Sequence, residues 1–180
     1  MPYREIAMTA PNLHTISLLV RNKPGVLTRV TLVFSRRGYN IESLVVSPAL
    51  AVPEYDAQPG EFSRMTITCS GDPENLEQIV KQLEKLIDVV HAIDHTGQSV
   101  IESEIALVKL KVSLKERSEI LQIAEHYRAK VVDYAASSLI LRVEGESDKL
   151  DAFMALLKPF AIVELVRSGK LLMARGLETT

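Results

Sequence analysis

One pattern of alternating hydrophobicity occurs twice along this chain, and that repeat constrains its fold more than any other feature. In each half, segments with apolar residues at every second position alternate with segments in which they recur every three or four residues. The order is β-α-β-β-α-β both times, which is the order of a ferredoxin-like sandwich. The repeat predicts an α+β protein with two tandem ferredoxin-like βαββαβ domains, each an antiparallel sheet with helices on one face.

The predicted elements of the first half are delimited by turn residues. Its strands are 13–20, 41–47, 62–69 and 88–94. The first helix follows the corner Asn22-Lys23-Pro24-Gly25 and ends before Gly38, which supplies a left-handed stop. A second helix is expected to begin with Asp72 as N-cap and Pro73 in the first turn. Cys69 lies in the alternating strand 62–69, where it is expected to be a small buried residue.

The second half repeats this order but lacks a counterpart of the Pro-rich loop 48–61. Its strands are 104–112, 130–136, 138–144 and 161–167, and its helices are about 117–128 and a helix opened by Ser147 that ends before Pro159. The halves correspond at two constant spacings, whose difference is about the length of the Pro-rich loop 48–61. The predicted domains are therefore 13–96 and 100–176, and the loop 48–61 belongs to the first alone.

Composition and charge exclude several classes of protein. The formal net charge is −2 and the pI about 6.1, which argues against binding to nucleic acid by phosphate neutralisation. A sheet that stacks RNA bases is disfavoured as well, because strands 13–20 and 62–69 offer only Phe62. The single cysteine excludes a disulfide framework within the chain. No apolar run is long enough for a membrane span or leader, so a cytoplasmic protein is expected.

The corner Asn22-Lys23-Pro24-Gly25 has two interpretations. A helix that begins there leaves unpaired N–H groups with partial positive charge, Gly25 allows close approach, and Asn22 offers a donor and an acceptor. Such a corner suits a carboxylate or a phosphate. Asn, Pro and Gly are also common turn residues, and spacing alone favours a structural turn. The corresponding corner 113–117 has neither Pro nor Gly, which is mild support for a site in the first half.

The sequence resembles a known family from about His14 to Gly176. The motifs FSRRGYNIES at 34–43 and SRMTI at 63–67 are the most specific, and IVELVRSGKLLMARG at 162–176 follows in the same order. These segments are similar to the regulatory small subunit of acetohydroxyacid synthase (acetolactate synthase), whose first domain is an ACT domain. The resemblance covers nearly the whole chain.

That resemblance implies a protein without its own active site or cofactors. Its partner would be a separate large catalytic subunit that carries thiamine diphosphate, Mg²⁺ and FAD and condenses pyruvate in the synthesis of valine, leucine and isoleucine. The small subunit would raise this activity and confer feedback inhibition, most often by valine. The resemblance implies no nucleic acid and no membrane as partner.

The resemblance also implies a site between two copies of the chain. The first ACT domains would pair as a homodimer, with a branched-chain amino acid at their interface. Asn22, Gly25 and Val26 would line the effector carboxylate from one chain, and Leu27 would be a wall for its side chain. Asn40 and Ile41 would come from the other chain.

The sequence departs from the family pattern at two places, and there is one alternative to a regulatory subunit. Lys23 stands where many relatives carry an acidic or neutral residue, and the loop 48–61 is longer than the family leads one to expect. The alternative is a freestanding ACT protein that senses amino acids without an enzyme partner. Other chemistry finds little support, since His91 and His95 do not share a helix face as metal ligands commonly do and no nucleophile-base pattern is present.

Overall fold

The computed structural model describes residues 13–50, 52, 55–177 and 179–180. The expectation that the chain has no leader concerns its first twelve residues, and these lie outside the described residues. So do Ala51, Pro53 and Glu54 of the predicted loop 48–61. No helix in the described part of the chain is long and apolar enough to cross a membrane.

Each predicted strand and helix is present, with ends shifted by a few residues. Among the described residues the strands are β1 (Leu13–Arg21), β2 (Asn40–Pro48), β3 (Phe62–Ser70), β4 (Val89–Asp94), β5 (Ile101–Lys111), β6 (Lys130–Tyr134), β7 (Ser138–Gly145), β8 (Ala161–Arg167) and β9 (Leu171–Met173). The helices are α1 (Val26–Arg36), α2 (Leu76–Leu83), α3 (Arg117–His126) and α4 (Ser147–Leu157). The short strand β9 was not predicted.

The chain divides into two compact units that carry the two repeats. The first unit extends to Ile101 and also includes Lys170–Thr180, and the second is Glu102–Gly169. The strand orders are β2-β3-β1-β4 and β6-β7-β5-β8, with antiparallel neighbours throughout. Both orders are those of the ferredoxin-like fold that the sequence repeat predicts.

Each unit has its own apolar core between the sheet and its two helices. In the first unit, alternate residues of the strands meet the apolar stripes of α1 and α2; the fully buried members are Ile16, Leu18, Val20, Val30, Phe34, Ile67, Cys69, Ile79 and Leu83. In the second unit they include Ala106, Val108, Leu110, Ile120, Leu139, Leu141, Leu150, Phe153 and Leu157. Cys69 is buried as expected, and burial raises the pKa of its thiol to about 12.

The central strand β1 is buried on both faces, whereas its alternating pattern predicted that only one face is buried. The predicted face does contact the helices through Ile16, Leu18 and Val20. On the opposite face, Leu19 packs against Ala49, Val52 and Phe62 in a separate apolar cluster. Two of these four residues, Ala49 and Val52, belong to the loop 48–61. The loop therefore covers part of the sheet face that lacks helices.

The predicted start of α2 is wrong in detail, whereas α4 begins at Ser147 as predicted. Asp72 caps a short 3-10 turn, Pro73–Asn75, by accepting a hydrogen bond from the Glu74 N–H at 3.1 Å, and α2 begins only at Leu76. Ser147 is the first residue of α4 and not its cap. Its hydroxyl donates to the buried Glu104 carboxylate instead, because a charged acceptor makes the stronger bond.

Candidate functional site

The corner between β1 and α1 leaves the N-terminus of α1 without a side-chain cap. Gly25 is the N-cap residue of α1 and has φ +81°, a conformation that side chains other than glycine rarely adopt. It supplies no side-chain hydrogen bond, and the first turn of α1 contains no acidic residue. The first-turn N–H groups and the positive end of the helix dipole are thus uncompensated by any cap.

The corresponding corner of the second unit carries carboxylates of the chain itself. Glu116 precedes α3 as Gly25 precedes α1, and Ser113 takes the place of Asn22 at the same spacing. The Glu116 carboxylate accepts hydrogen bonds from the Ser113 N–H at 2.8 Å and from the Ser113 hydroxyl at 2.5 Å. These bonds lower the pKa of Glu116. The first turn of α3 also contains Glu119, whereas the first turn of α1 contains no acidic residue.

Asn22 is held by the end of the loop 48–61. Its side-chain Nδ2 donates to the Gly60 carbonyl at 2.9 Å, and its backbone N–H donates to the Glu61 carbonyl at 2.9 Å. The side chain is nevertheless exposed. Sequence analysis identified Asn22 but missed Gly60, because nothing in the spacing of residues 38 positions apart indicates the contact.

Arg29 is a second residue of the corner that sequence analysis missed. Its guanidinium forms an ion pair with Asp88, which is largely buried at the start of β4. One of its nitrogens lies 3.4 Å from the position that a Cβ on Gly25 would occupy. This ion pair holds the positive Arg29 guanidinium beside the open helix end, and the Asp88 carboxylate neutralises much of its charge.

Val26 and Leu27 differ in what they can offer a ligand. The Val26 side chain is buried in the core, so only its backbone faces the corner. Leu27 is 41% exposed and lies on the outer surface of α1. The expected wall for an effector side chain is therefore accessible.

Asn40 and Ile41 lie at the beginning of β2, which is an edge strand of the first sheet. Asn40 Nδ2 donates to the Glu42 carboxylate at 2.7 Å, and the Ser70 hydroxyl donates to the same oxygen at 2.6 Å. The hydrogen bond from Ser70, followed by that from Asn40, lowers the pKa of Glu42. Ile41 is partly buried against the core. Asn40 and Ile41 also line a groove at the C-terminal end of α1, together with Thr31, Leu32, Ser35, Gly38 and Tyr39.

The two groups of site residues lie at opposite ends of α1. This helix has 11 residues and is therefore about 16 Å long. Asn22 and Gly25 are at its N-terminus, whereas Asn40 follows its C-terminus. A small molecule in contact with both groups would need them from two different chains.

Two histidines, His14 and His95, are buried and hydrogen-bonded. His14 Nε2 lies 3.3 Å from the Gly71 carbonyl, and His95 Nε2 lies 2.8 Å from the Ser17 hydroxyl. Gln98 Oε1 lies 3.1 Å from the other ring nitrogen of His95. The contact between His95 and Ser17 attaches the segment after β4 to β1, and that of His14 attaches β1 to the segment after β3. Among the described residues, no group of three or more His, Cys, Asp or Glu side chains is placed to hold a metal ion.

Comparison with known proteins agrees over both units. The family model described as the AHAS small subunit-like ACT domain matches residues 16–91, and the model for the small subunit of acetolactate synthase matches residues 103–176. The chain is 42% identical to a probable acetolactate synthase small subunit of Archaeoglobus fulgidus over 163 residues, covering 91% of this chain and 97% of the relative. It is 44% identical to one of Methanothermobacter thermautotrophicus over 170 residues, covering 94% and 96%.

A solved structure shows the same fold over nearly the full length. The crystal structure of the acetolactate synthase small subunit of Thermotoga maritima superposes with a TM-score of 0.77 at 34% sequence identity. The match covers 92% of this chain and 98% of the other.

Proposed function

This chain belongs to the acetolactate synthase small-subunit family, and on that premise we propose that it activates a separate catalytic subunit and makes it sensitive to inhibition by valine. It has no active site of its own in this proposal. Thiamine diphosphate, Mg²⁺ and FAD are expected on the catalytic partner. The regulatory site would be the corner at Asn22 and Gly25.

One observation supports the proposed regulatory site, namely the contrast between the corners before α1 and α3. In the second unit, Glu119 in the first turn of α3 brings negative charge to the helix N-terminus. In the first unit, Gly25 leaves the N-terminus of α1 without cap or acidic residue. An amino acid supplies the missing carboxylate, and the exposed Leu27 offers apolar contact to a branched side chain.

The effector site is proposed to form between two copies of the chain. Asn22, Gly25, Val26 and Leu27 of one copy would face Asn40 and Ile41 of a second copy across the dimer. Two features favour pairing at this side of the first unit. β2 is an edge strand with one row of unpaired backbone groups, and Leu27 and Leu32 leave apolar surface exposed on α1.

Regulation follows from a ligand that bridges two chains. Valine bound between them favours one relative arrangement of the two first units over others. The catalytic subunit responds to that arrangement, and the coupling free energy in such systems is typically about 1–3 kcal/mol. By the same linkage, binding of the catalytic subunit changes the valine affinity of the small subunit.

Reconstitution with the catalytic subunit tests this proposal. Adding this chain is expected to raise acetolactate production, and valine is expected to lower it again. Asn22→Ala should retain the activation but lose most of the valine inhibition, because Asn22 lies in the effector site and not in the core. Failure of the chain to co-purify with or activate the catalytic subunit would favour the freestanding sensor. Valine inhibition that survives in Asn22→Ala would remove the corner as the regulatory site.

A further inference from the structure

The edge strand β6 of the second sheet contributes no side chain to the core of its own unit. All five of its residues are exposed, and none of them belongs to the apolar cluster of the second unit. We infer that β6 pairs with β6 of a second copy of this chain, antiparallel and about a twofold axis between Val131 and Val132. This pairing concerns the second unit and does not depend on the proposed effector site.

The apolar residues of β6 distinguish it from the opposite edge of the same sheet. The strand at that edge, β8, packs Ile162 and Leu165 against the core. In β6, Val131 is 39% exposed and Val132 is 49% exposed. Exposed β-branched side chains on an edge strand, beside a row of unpaired backbone groups, favour the addition of another strand. These valines therefore indicate a strand partner outside the chain.

Two cations stand side by side at this edge. Lys130 of β6 is directly opposite Arg142 of β7. Because β7 turns Leu141 into the core, Arg142 and Lys130 lie on the face of the sheet that carries no helices. Like charges at opposed positions of a sheet repel each other. Among the described residues neither cation forms an ion pair, so a carboxylate from a second chain would relieve the repulsion.

Asp133, near the other end of β6, offers such a carboxylate. It stands opposite Ile140, which is two residues from Arg142 on β7, and it therefore shares a face with Lys130. A bulge between Val131 and Asp133 makes this possible, because it adds one residue to the strand. The strand thus has a cation and an anion on one face, and neither is in an ion pair within the described part of the chain.

Antiparallel pairing of two β6 strands brings these charges together. With the twofold axis between Val131 and Val132, Lys130 of each copy stands opposite Asp133 of the other copy. Val131 of each copy then stands opposite Val132 of the other, so that two ion pairs flank a centre of apolar contacts. The contact is isologous, as the interface of a closed dimer has to be. The segment Lys130-Val131-Val132-Asp133 is therefore complementary to itself in charge and in hydrophobicity.

The bulge and the lysine of β6 are also features that commonly protect an edge strand from pairing. The bulge is not particular to this edge, since β2 has one at the corresponding place, between Ile41 and Ser43. A lysine protects an edge only where the incoming strand has no anion to meet it. Here the incoming strand places Asp133 opposite Lys130, and the lysine favours pairing with this one sequence.

A contact between two strands of five residues is small, and a two-stranded ribbon of this kind is marginal by itself. We therefore expect it to strengthen association that also uses other surfaces of the chain. Because its ion pairs are exposed to solvent, its contribution should weaken as the salt concentration rises.

Charge reversal in the full chain tests this pairing. Lys130→Asp and Asp133→Lys each place like charges opposite one another when two identical chains pair. Each variant is expected to associate about tenfold more weakly than the wild type, measured by analytical ultracentrifugation at low ionic strength. An equimolar mixture of the two variants should recover the wild-type association, because every charge then meets its opposite. The double variant with both exchanges should recover it for the same reason.

Glu84→Lys and Lys85→Asp are controls that change the net charge by the same amounts. Both residues are exposed and directly follow α2 in the first unit. These controls are expected to associate like the wild type, alone and as a mixture. Thermal unfolding of every variant verifies that the chains compared are folded.

Three results would overturn the inference. The first is equal association of the wild type and both single variants. The second is weaker association of the single variants without recovery in their mixture, since the antiparallel register requires recovery. The third is unchanged association together with loss of activation of the catalytic subunit, which would assign β6 to that subunit instead. Valine binding enters none of these results, so the proposed function is tested separately.

Discussion

At Gly25, the absence of one side chain keeps the N-terminus of α1 accessible. In the second unit, Glu116 precedes the helix and bonds to Ser113, and Glu119 lies in the first turn of α3. The two corners begin from equivalent positions of one repeated fold. They therefore differ in the carboxylates that the chain itself places at the helix N-terminus.

Closing the first corner should abolish effector binding without unfolding the chain. In Gly25→Asp, a new carboxylate stands at the N-terminus of α1 and lies beside the Arg29 guanidinium. We expect valine affinity to fall by at least about tenfold, since internal and external carboxylates compete for the same N–H groups. A cap contributes about 1 kcal/mol and the left-handed backbone costs a similar amount, so stability should change little.

Calorimetric titration with valine and thermal unfolding of the same sample measure both effects. Gly97→Asp is a control for the backbone strain, because Gly97 also has positive φ and lies in a turn rather than before a helix. A folded Gly25→Asp chain with wild-type valine affinity would contradict the assignment of the carboxylate to this corner.

At the scale of elements, the loop 48–61 is structured by its contacts with β1. Val52 is buried in the cluster that includes Leu19, Ala49 and Phe62. Shortening Val52 to alanine removes methyl groups from this cluster and should weaken the loop by about 1–3 kcal/mol. Because the loop orients Asn22, valine affinity is expected to fall as well.

Val80→Ala is the matched control for Val52→Ala. Val80 is a partly buried residue of α2 that packs on the main core, away from the loop. It should lower the unfolding temperature to a similar degree and leave valine affinity unchanged. Hydrogen exchange at the loop amides, measured with titration, would show faster exchange in Val52→Ala only. Equal valine affinity in both variants would exclude a role for the loop in binding.

Local patterns in the sequence predicted the elements, but contacts between distant segments could not be predicted. Alternation predicted strands such as β1, β3, β5 and β7 because each has one face on a helical core, and Gly38 with φ +72° ends α1 as expected. The second buried face of β1 depends on a loop more than 25 residues further along, and alternation does not report on it. The bond from Asn22 to Gly60 and the ion pair of Arg29 with Asp88 likewise depend on the register of the sheet.

On the scale of the whole molecule, the two units of the repeated fold differ in their polar groups. The first unit leaves a helix end open, whereas the second buries a network of charges. In that network Arg167 donates to Glu104 at 2.6 and 3.0 Å and to Asp151 at 2.5 Å, and Ser147 donates to the other oxygen of Glu104. Glu104 and Arg167, which form the ion pair at the centre of this network, both lie in the second unit.

Neutralising Glu104 should therefore separate stability from effector binding. Glu104 is 5% exposed, and Glu104→Gln keeps its shape but leaves Arg167 with only one carboxylate partner. Breaking a buried ion pair in this way is expected to cost about 2–4 kcal/mol in the free energy of unfolding. The residues proposed to bind valine belong to the first unit, so valine affinity at a temperature where both units are folded should equal that of the wild type. Denaturant unfolding and valine titration of the same variant measure the two quantities. A parallel loss of valine affinity would contradict the placement of the proposed site in the first unit alone.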